Sequence, residues 1–206
     1  VNILHNAGAS VNVATKAGKT PLHVAAARGR VDFVTELLAA GANVDAVDMD
    51  ACTPLYAASQ RGRADVVKLL LRAGACVNVV ITSGWTPLHE ATARGRVDFV
   101  RVLLRAGANV YTACADGRTP LHIAAAGHPD VVKALLRAGS NVHAMTSAGL
   151  TPLCIANEAA RSDVVRLLLD AGANGAATHG YSGLHANLAR SRALGFFVPP
   201  RGGYSA

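Results

Sequence analysis

The chain has 206 residues, 51% hydrophobic but only 4% aromatic, with a formal net charge of +7 and a pI near 9.7. Its core must therefore come from small and aliphatic side chains, in one large domain or two small ones. No stretch nears the roughly 18 consecutive apolar residues of a membrane helix, and the opening VNILHNAG has neither the basic nor the apolar region of a secretory signal.

The chain begins at Val1 rather than Met and reads as a fragment or a processed chain. Cys52, Cys76, Cys114 and Cys154 form no CxxC pair and no ligand-spaced group with histidine, so they read as reduced thiols of an intracellular, cytoplasmic or nuclear protein without a metal site. The first complete unit opens at Thr20–Pro21. A threonine before proline suits an N-cap followed by the first helical position, where the missing N–H costs nothing. The helix PLHVAAAR then stops at Gly29, and a second begins around Asp32, whose carboxylate suits the positive end of a helix dipole. Val31, Val34, Leu37 and Leu38 keep the three- and four-residue spacing of one buried face, up to the stop at Gly41.

The same unit then recurs. TPL begins at Thr20, Thr53, Thr86, Thr119 and Thr151, at intervals of 33, 33, 33 and 32 residues. Twelve residues before each threonine lies a glycine: Gly8, Gly41, Gly74, Gly107 and Gly139. One such helix pair cannot bury its own apolar face, so neighbours must stack on it. AAARGRVDFV at Ala25–Val34 and ATARGRVDFV at Ala91–Val100 recur two units apart because they do the same structural work.

TPLH at Thr20, Thr86 and Thr119, with GANV at Gly41 and Gly107, resembles the ankyrin repeat, over about residues 1–178 and more weakly beyond. The resemblance implies an all-α repeat solenoid of antiparallel helix pairs joined by β-hairpin fingers, with a concave binding face. Its units are 17–49, 50–82, 83–115, 116–147 and 148–178. Residues 1–16 read as the end of a preceding repeat, and 179–206 as a degenerate capping half-repeat, with a helix through Leu184–Leu194, and a loose tail. Three departures stand out. The fourth unit lacks the position of Arg28, Tyr56 and Cys154 replace the TPLH histidine, and Ala160 takes a helix-ending glycine's place. That alanine costs about 1 kcal/mol if its φ is positive.

Catalytic readings fail on the residues. GKT at Gly18–Thr20 would need glycine where Val13 stands to form a phosphate-binding loop. His23, His89 and His122 hold the TPLH position, where the resemblance implies structural hydrogen bonding. Neither an active site nor a cofactor is expected. Recognition is instead written in what varies inside the constant frame. On the finger just before each threonine stand Lys19, Cys52, Trp85, Arg118 and Leu150, and Trp85 is the sole tryptophan. Arg28/Arg30, Arg61/Arg63 and Arg94/Arg96 form RGR in three consecutive units, an expected ladder about 20 Å long suited to an acidic partner. A second row, Lys68/Arg72, Arg101/Arg105 and Lys133/Arg137, reads as a solvated surface.

The resemblance implies a protein-interaction scaffold, a monomer whose concave finger and inner-helix face grips a partner segment that is acidic or mixed. The alternative is the substrate-receptor part of a larger ubiquitin-ligase adaptor or enzyme. Nucleic acid is disfavoured, because aromatics do not interleave the basic residues, and membrane insertion is not expected. The resemblance also implies that Asn12 and Asn78 are candidate targets of an oxygen-dependent asparaginyl hydroxylase, with Leu4 and Leu70 eight residues earlier. Against that, asparagine simply fits a turn.

Overall fold

The computed structural model describes residues 10–173. The first part of the expected preceding repeat, the helix read over Leu184–Leu194 and the terminal tail lie outside the described residues. Among those described there are five helix pairs and no strand: α1 (Pro21–Arg28) with α2 (Val31–Ala39), α3 (Pro54–Arg61) with α4 (Ala64–Arg72), α5 (Pro87–Ala93) with α6 (Val97–Arg105), α7 (Pro120–Ala125) with α8 (Pro129–Arg137), and α9 (Pro152–Glu158) with α10 (Ser162–Asp170). The inner helices α1, α3, α5, α7 and α9 each pack on the next. Outside them α2 packs on α4, α6 on α8 and α8 on α10.

Two columns of leucine make the core. Leu22, Leu55, Leu88, Leu121 and Leu153 on the inner helices, and Leu37, Leu70, Leu103, Leu135 and Leu168 on the outer ones, are all at most 3% exposed. Each fully buried leucine contributes about 1.5–3 kcal/mol. Between inner helices runs a column of buried alanines (Ala25, Ala58, Ala91, Ala124 and Ala156), small enough for short helices to approach closely. Val31 is a departure from the expected stripe on α2. It is exposed, and the buried positions there are Val34 and Leu37. Val31 is the first residue of the helix, and its equivalents Ala64 and Ser162 are exposed too.

Each finger closes as a tight turn rather than a ladder. Two backbone bonds close it, as from Thr15 N to Lys19 O (3.0 Å) and Gly18 N to Thr15 O (2.8 Å), or from Ile81 N to Trp85 O (2.9 Å) and Gly84 N to Ile81 O (2.8 Å). Gly29 and Gly62 end α1 and α3 with φ of 74° and 70°. Among the described residues two non-glycines share the left-handed region. Ala160 (φ 52°) ends α9, and Ala51 (φ 59°) stands in the second finger where the others have Gly18, Gly84, Gly117 and Gly149. The cost anticipated for Ala160 follows, since an L side chain at positive φ crowds its own backbone. Ala160→Gly and Ala51→Gly are expected to stabilise the array by about 0.5–1 kcal/mol each. Urea unfolding monitored by circular dichroism reads this directly, and an unchanged or lowered midpoint would contradict it.

Candidate partner-binding site

The finger row is built by the histidines of the preceding repeats. At His23 the backbone N–H of Thr20 donates to Nδ1 (3.1 Å), so Nδ1 is the unprotonated nitrogen, and Nε2–H donates to Cys52 O (2.9 Å). His89 repeats this with Thr86 N (3.2 Å) and Arg118 O (3.3 Å), and His122 with Thr119 N (3.1 Å) and Leu150 O (3.1 Å). Each imidazole thus caps its own helix and holds the residue just before the next threonine. Lys19, Cys52, Trp85, Arg118 and Leu150 all end up half-buried, with the same backbone and different side chains. Arg118 is ion-paired to Asp116 (Nε–Oδ2 2.6 Å). Burial, then the charges of Asp48 and Asp50, push the Cys52 thiol up to about 12, so Cys52 enters the row as a neutral group.

The third finger differs. Tyr56 replaces the histidine that would hold Trp85 O, and its hydroxyl donates instead to Glu90 Oε2 (3.4 Å) on α5. Burial, and next the Glu90 carboxylate, raise the Tyr56 hydroxyl far above its usual range. Glu90 is 1% exposed, and Arg94 Nε meets its Oε1 at 2.5 Å. The Trp85 ring leans on His89, with centroids 5.9 Å apart and planes 40° apart. The Tyr56–Glu90–Arg94 chain was missed in the sequence, although its signal was there. Glu90 stands where the other inner helices carry Val24, Ala57, Ile123 and Ile155, four residues before an arginine.

The RGR arginines do not form one uniform row. The second arginine of two pairs reaches back to the preceding repeat: Arg63 Nε donates to Ala27 O (3.3 Å) and Arg96 Nη1 to Ser59 O (3.3 Å). Arg161 does the same to Ala126 O (3.2 Å) in the fifth repeat. These carbonyls lie in the last turn of an inner helix or just beyond it, so a cation there also meets the negative end of the helix dipole, worth roughly 0.3–1 kcal/mol. Arg63 lies across Gly29 and Arg96 across Gly62, where any Cβ would collide with the guanidinium arm. Those glycines are favoured by their φ, and a Cβ at either would push the arginine arm aside. The first arginines Arg28, Arg61 and Arg94 are all exposed, as is Arg30, and Arg94 is paired to Glu90. In the second basic row Lys68, Arg101 and Lys133 each pair with the aspartate three residues earlier.

Asn12 and Asn78 use their whole amide between repeats. Asn12 Nδ2 donates to Gly41 O (3.2 Å) and its Oδ1 accepts from Asn43 N (2.8 Å). Asn78 does likewise with Gly107 O (3.2 Å) and Asn109 N (2.8 Å). Among the described residues no three His, Cys, Asp or Glu side chains gather to hold a metal, and no helix is long and apolar enough to cross a membrane.

Comparison with protein families agrees with this geometry. The family model for three-copy ankyrin repeats matches residues 1–81 and 77–146, and that for the single ankyrin repeat matches 148–185. The chain belongs to the ankyrin-repeat family. None of the matched segments is a catalytic domain. No curated protein matches the chain significantly.

The buried imidazoles carry a pH dependence. Burial lowers His89 to about 4, and lowers His122 as well. With the folded pKa below an unfolded value near 6.5, the unfolded chain takes up the proton first. Stability is complete above pH 6.5, falls between 6.5 and about 4, and levels off below as far as His89 is concerned. The loss attributable to His89 is on the order of 3 kcal/mol. Urea midpoints at pH 7.5, 5.5 and 4.5 should fall in that order, and less steeply in His89→Gln; equal slopes in the two proteins would refute the assignment.

Proposed function

We propose that this ankyrin array is a protein-interaction module that holds a segment of a partner protein across its fingers and inner helices. The observation that carries this reading is the row Lys19, Cys52, Trp85, Arg118 and Leu150. Its backbone is constant and its side chains are half-exposed and chemically unlike one another. A row that only held the fold together would have no reason to vary from ammonium to thiol to indole to guanidinium to isobutyl. Trp85 supplies the anchor, since a large aromatic half in contact with its own fold loses little entropy on binding and dominates interface energies. The RGR arginines stand at the other end of the inner helices, about 12 Å away for an eight-residue helix, where Arg28, Arg30, Arg61, Arg63, Arg94 and Arg96 supply the charge that steers an acidic stretch of the partner.

The two asparagines fit the same reading. Hydroxylation of Asn12 or Asn78 would require the enzyme to pull a bridging amide out of its two inter-repeat bonds. We therefore place any such modification on a locally opened finger.

Capture of partners from an extract by the chain, compared with Trp85→Ala at equal folded fraction, tests the proposal. A partner retained by the parent should bind at least tenfold more weakly to the variant, as for an interface hot spot. Identical capture by both proteins would remove Trp85 and the finger row from the interface.

A further inference from the structure

The inner helices share one partly exposed face, and its chemistry changes along the array. Each inner helix packs on the next, so equivalent residues stand in a row at about 8–10 Å per repeat. Four residues after each capping threonine the row reads Val24, Ala57, Glu90, Ile123 and Ile155. All but the buried Glu90 are at least partly exposed. One helical turn further along the same face stand Arg28, Arg61 and Arg94, followed by Gly127 and Ala159. The first three repeats therefore end this face in a guanidinium, and the last two leave their isoleucines without one.

Charge follows the same division. On the inner helices of repeats one to three and the turns after them, Arg28, Arg30, Arg61, Arg63, Arg94 and Arg96 stand against Glu90, an excess of +5. In repeats four and five Arg161 stands against Glu158, and the excess is zero. An aspartate recurs in the first turn of the outer helix in all five repeats, so it leaves the contrast unchanged. The finger row agrees at its two ends, with Lys19 first and Leu150 last, and Arg118 next to Leu150 is already paired to Asp116.

We propose that this face takes a partner segment written in two blocks, with acidic residues over Arg28 and Arg61 and large aliphatic residues over Ile123 and Ile155. This rests on the reading of the array as a peptide-binding module and states how that peptide is ordered. An extended chain advances about 3.3 Å per residue, so about three residues span one repeat. The two acidic side chains then fall three positions apart, as do the two aliphatic ones. The blocks are separated by the third repeat, where Glu90 and Arg94 neutralise each other. A uniformly acidic segment would set carboxylates against a half without net positive charge and leave the isoleucines bare. A uniformly apolar one would leave the cationic half unmatched. Nucleic acid carries its charge evenly along the strand and meets the first objection.

The probe is acetyl-Glu-Gly-Ser-Glu-Gly-Ser-Ser-Gly-Ser-Leu-Gly-Ser-Leu-amide. Its control, acetyl-Leu-Gly-Ser-Glu-Gly-Ser-Ser-Gly-Ser-Glu-Gly-Ser-Leu-amide, has the same composition and places Leu and Glu alike from either end. Both are titrated at low salt into the whole chain and followed by its amide resonances. The two-block peptide should bind about fivefold more tightly or better, since the control misplaces one charge and one aliphatic side chain. A nitroxide on its glutamate end should broaden amides around Arg28 and Arg61, and one on its leucine end those around Ile123 and Ile155. Arg28→Gln and Ile123→Ala, each checked for an unchanged amide spectrum elsewhere, should weaken the two-block peptide and leave the control as it was. Equal affinities, no binding by either peptide at millimolar concentration, or both labels broadening the same half would overturn the two-block order. A short oligouridylate that displaces the peptide from both halves would overturn the assignment to a peptide. Capture with Trp85→Ala is a separate readout, because both peptides carry serine where the third repeat falls. Lost capture in that variant beside equal peptide affinities would sink the two-block order alone. Unchanged capture beside a preference for the two-block peptide would keep the order and remove the finger row.

Discussion

Everything in this array depends on one constraint. A helix of six to nine residues leaves almost as many backbone groups unpaired at its ends as it satisfies within, and no single repeat can supply their partners. The solution is reciprocal. Histidines reach forward from inner helices to the next finger, asparagines reach forward to the turn after the next outer helix, and arginines reach back to the preceding inner helix. Each bond is short-range in space and about 30 residues long in sequence. The fold is therefore cooperative between neighbours and indifferent to anything further away, which is the nearest-neighbour energetics of a solenoid.

The segments at Ala25–Val34 and Ala91–Val100, which differ only at Ala26 and Thr92, show how far position overrides sequence. Phe99 is 5% exposed, while Phe33, at the same place in the same ten residues, is 46% exposed. The difference is the neighbourhood. A helix pair precedes α5 and α6, whereas none precedes α1 and α2 among the described residues. Burial in a stacked array belongs to the joint between repeats, so a residue's environment cannot be read from its own unit.

The fold was legible because its signals are periodic and local. Thr–Pro caps, left-handed glycines and leucine spacing each specify one turn of backbone, and five copies in register leave a single architecture. The cost at Ala160 was legible for the same reason, since its four counterparts define what the position needs. What escaped were the arginine and Tyr56–Glu90 interactions that cross a joint. Arg63 and Arg96 read as free partners for an acidic segment because their spacing is that of a ladder, while the carbonyls they hold lie more than 30 residues away. Tyr56 read as a lost histidine, although its loss is matched by Glu90 arriving on the next inner helix. A substitution and its compensation one period apart look like two unrelated departures until the repeats are stacked.

That pairing bears on where specificity lies along the array. The frame residues are interchangeable between repeats because their partners repeat with them, so they carry no address. The joint between the second and third repeats is the place where three frame rules are broken together: tyrosine for histidine, a buried glutamate for an apolar residue, and a finger that bears the only tryptophan and lacks the histidine bond. A buried carboxylate in place of a valine or isoleucine gains nothing over a well-packed apolar side chain, because desolvation offsets most of its ion pair. Its retention is better explained by what it positions than by what it stabilises. Glu90 holds Arg94 through its ion pair and accepts from Tyr56, in the repeat whose finger lacks the histidine bond. In a solenoid built from equal units, the unit that departs most from its neighbours at the least benefit to stability is the one a partner can tell apart.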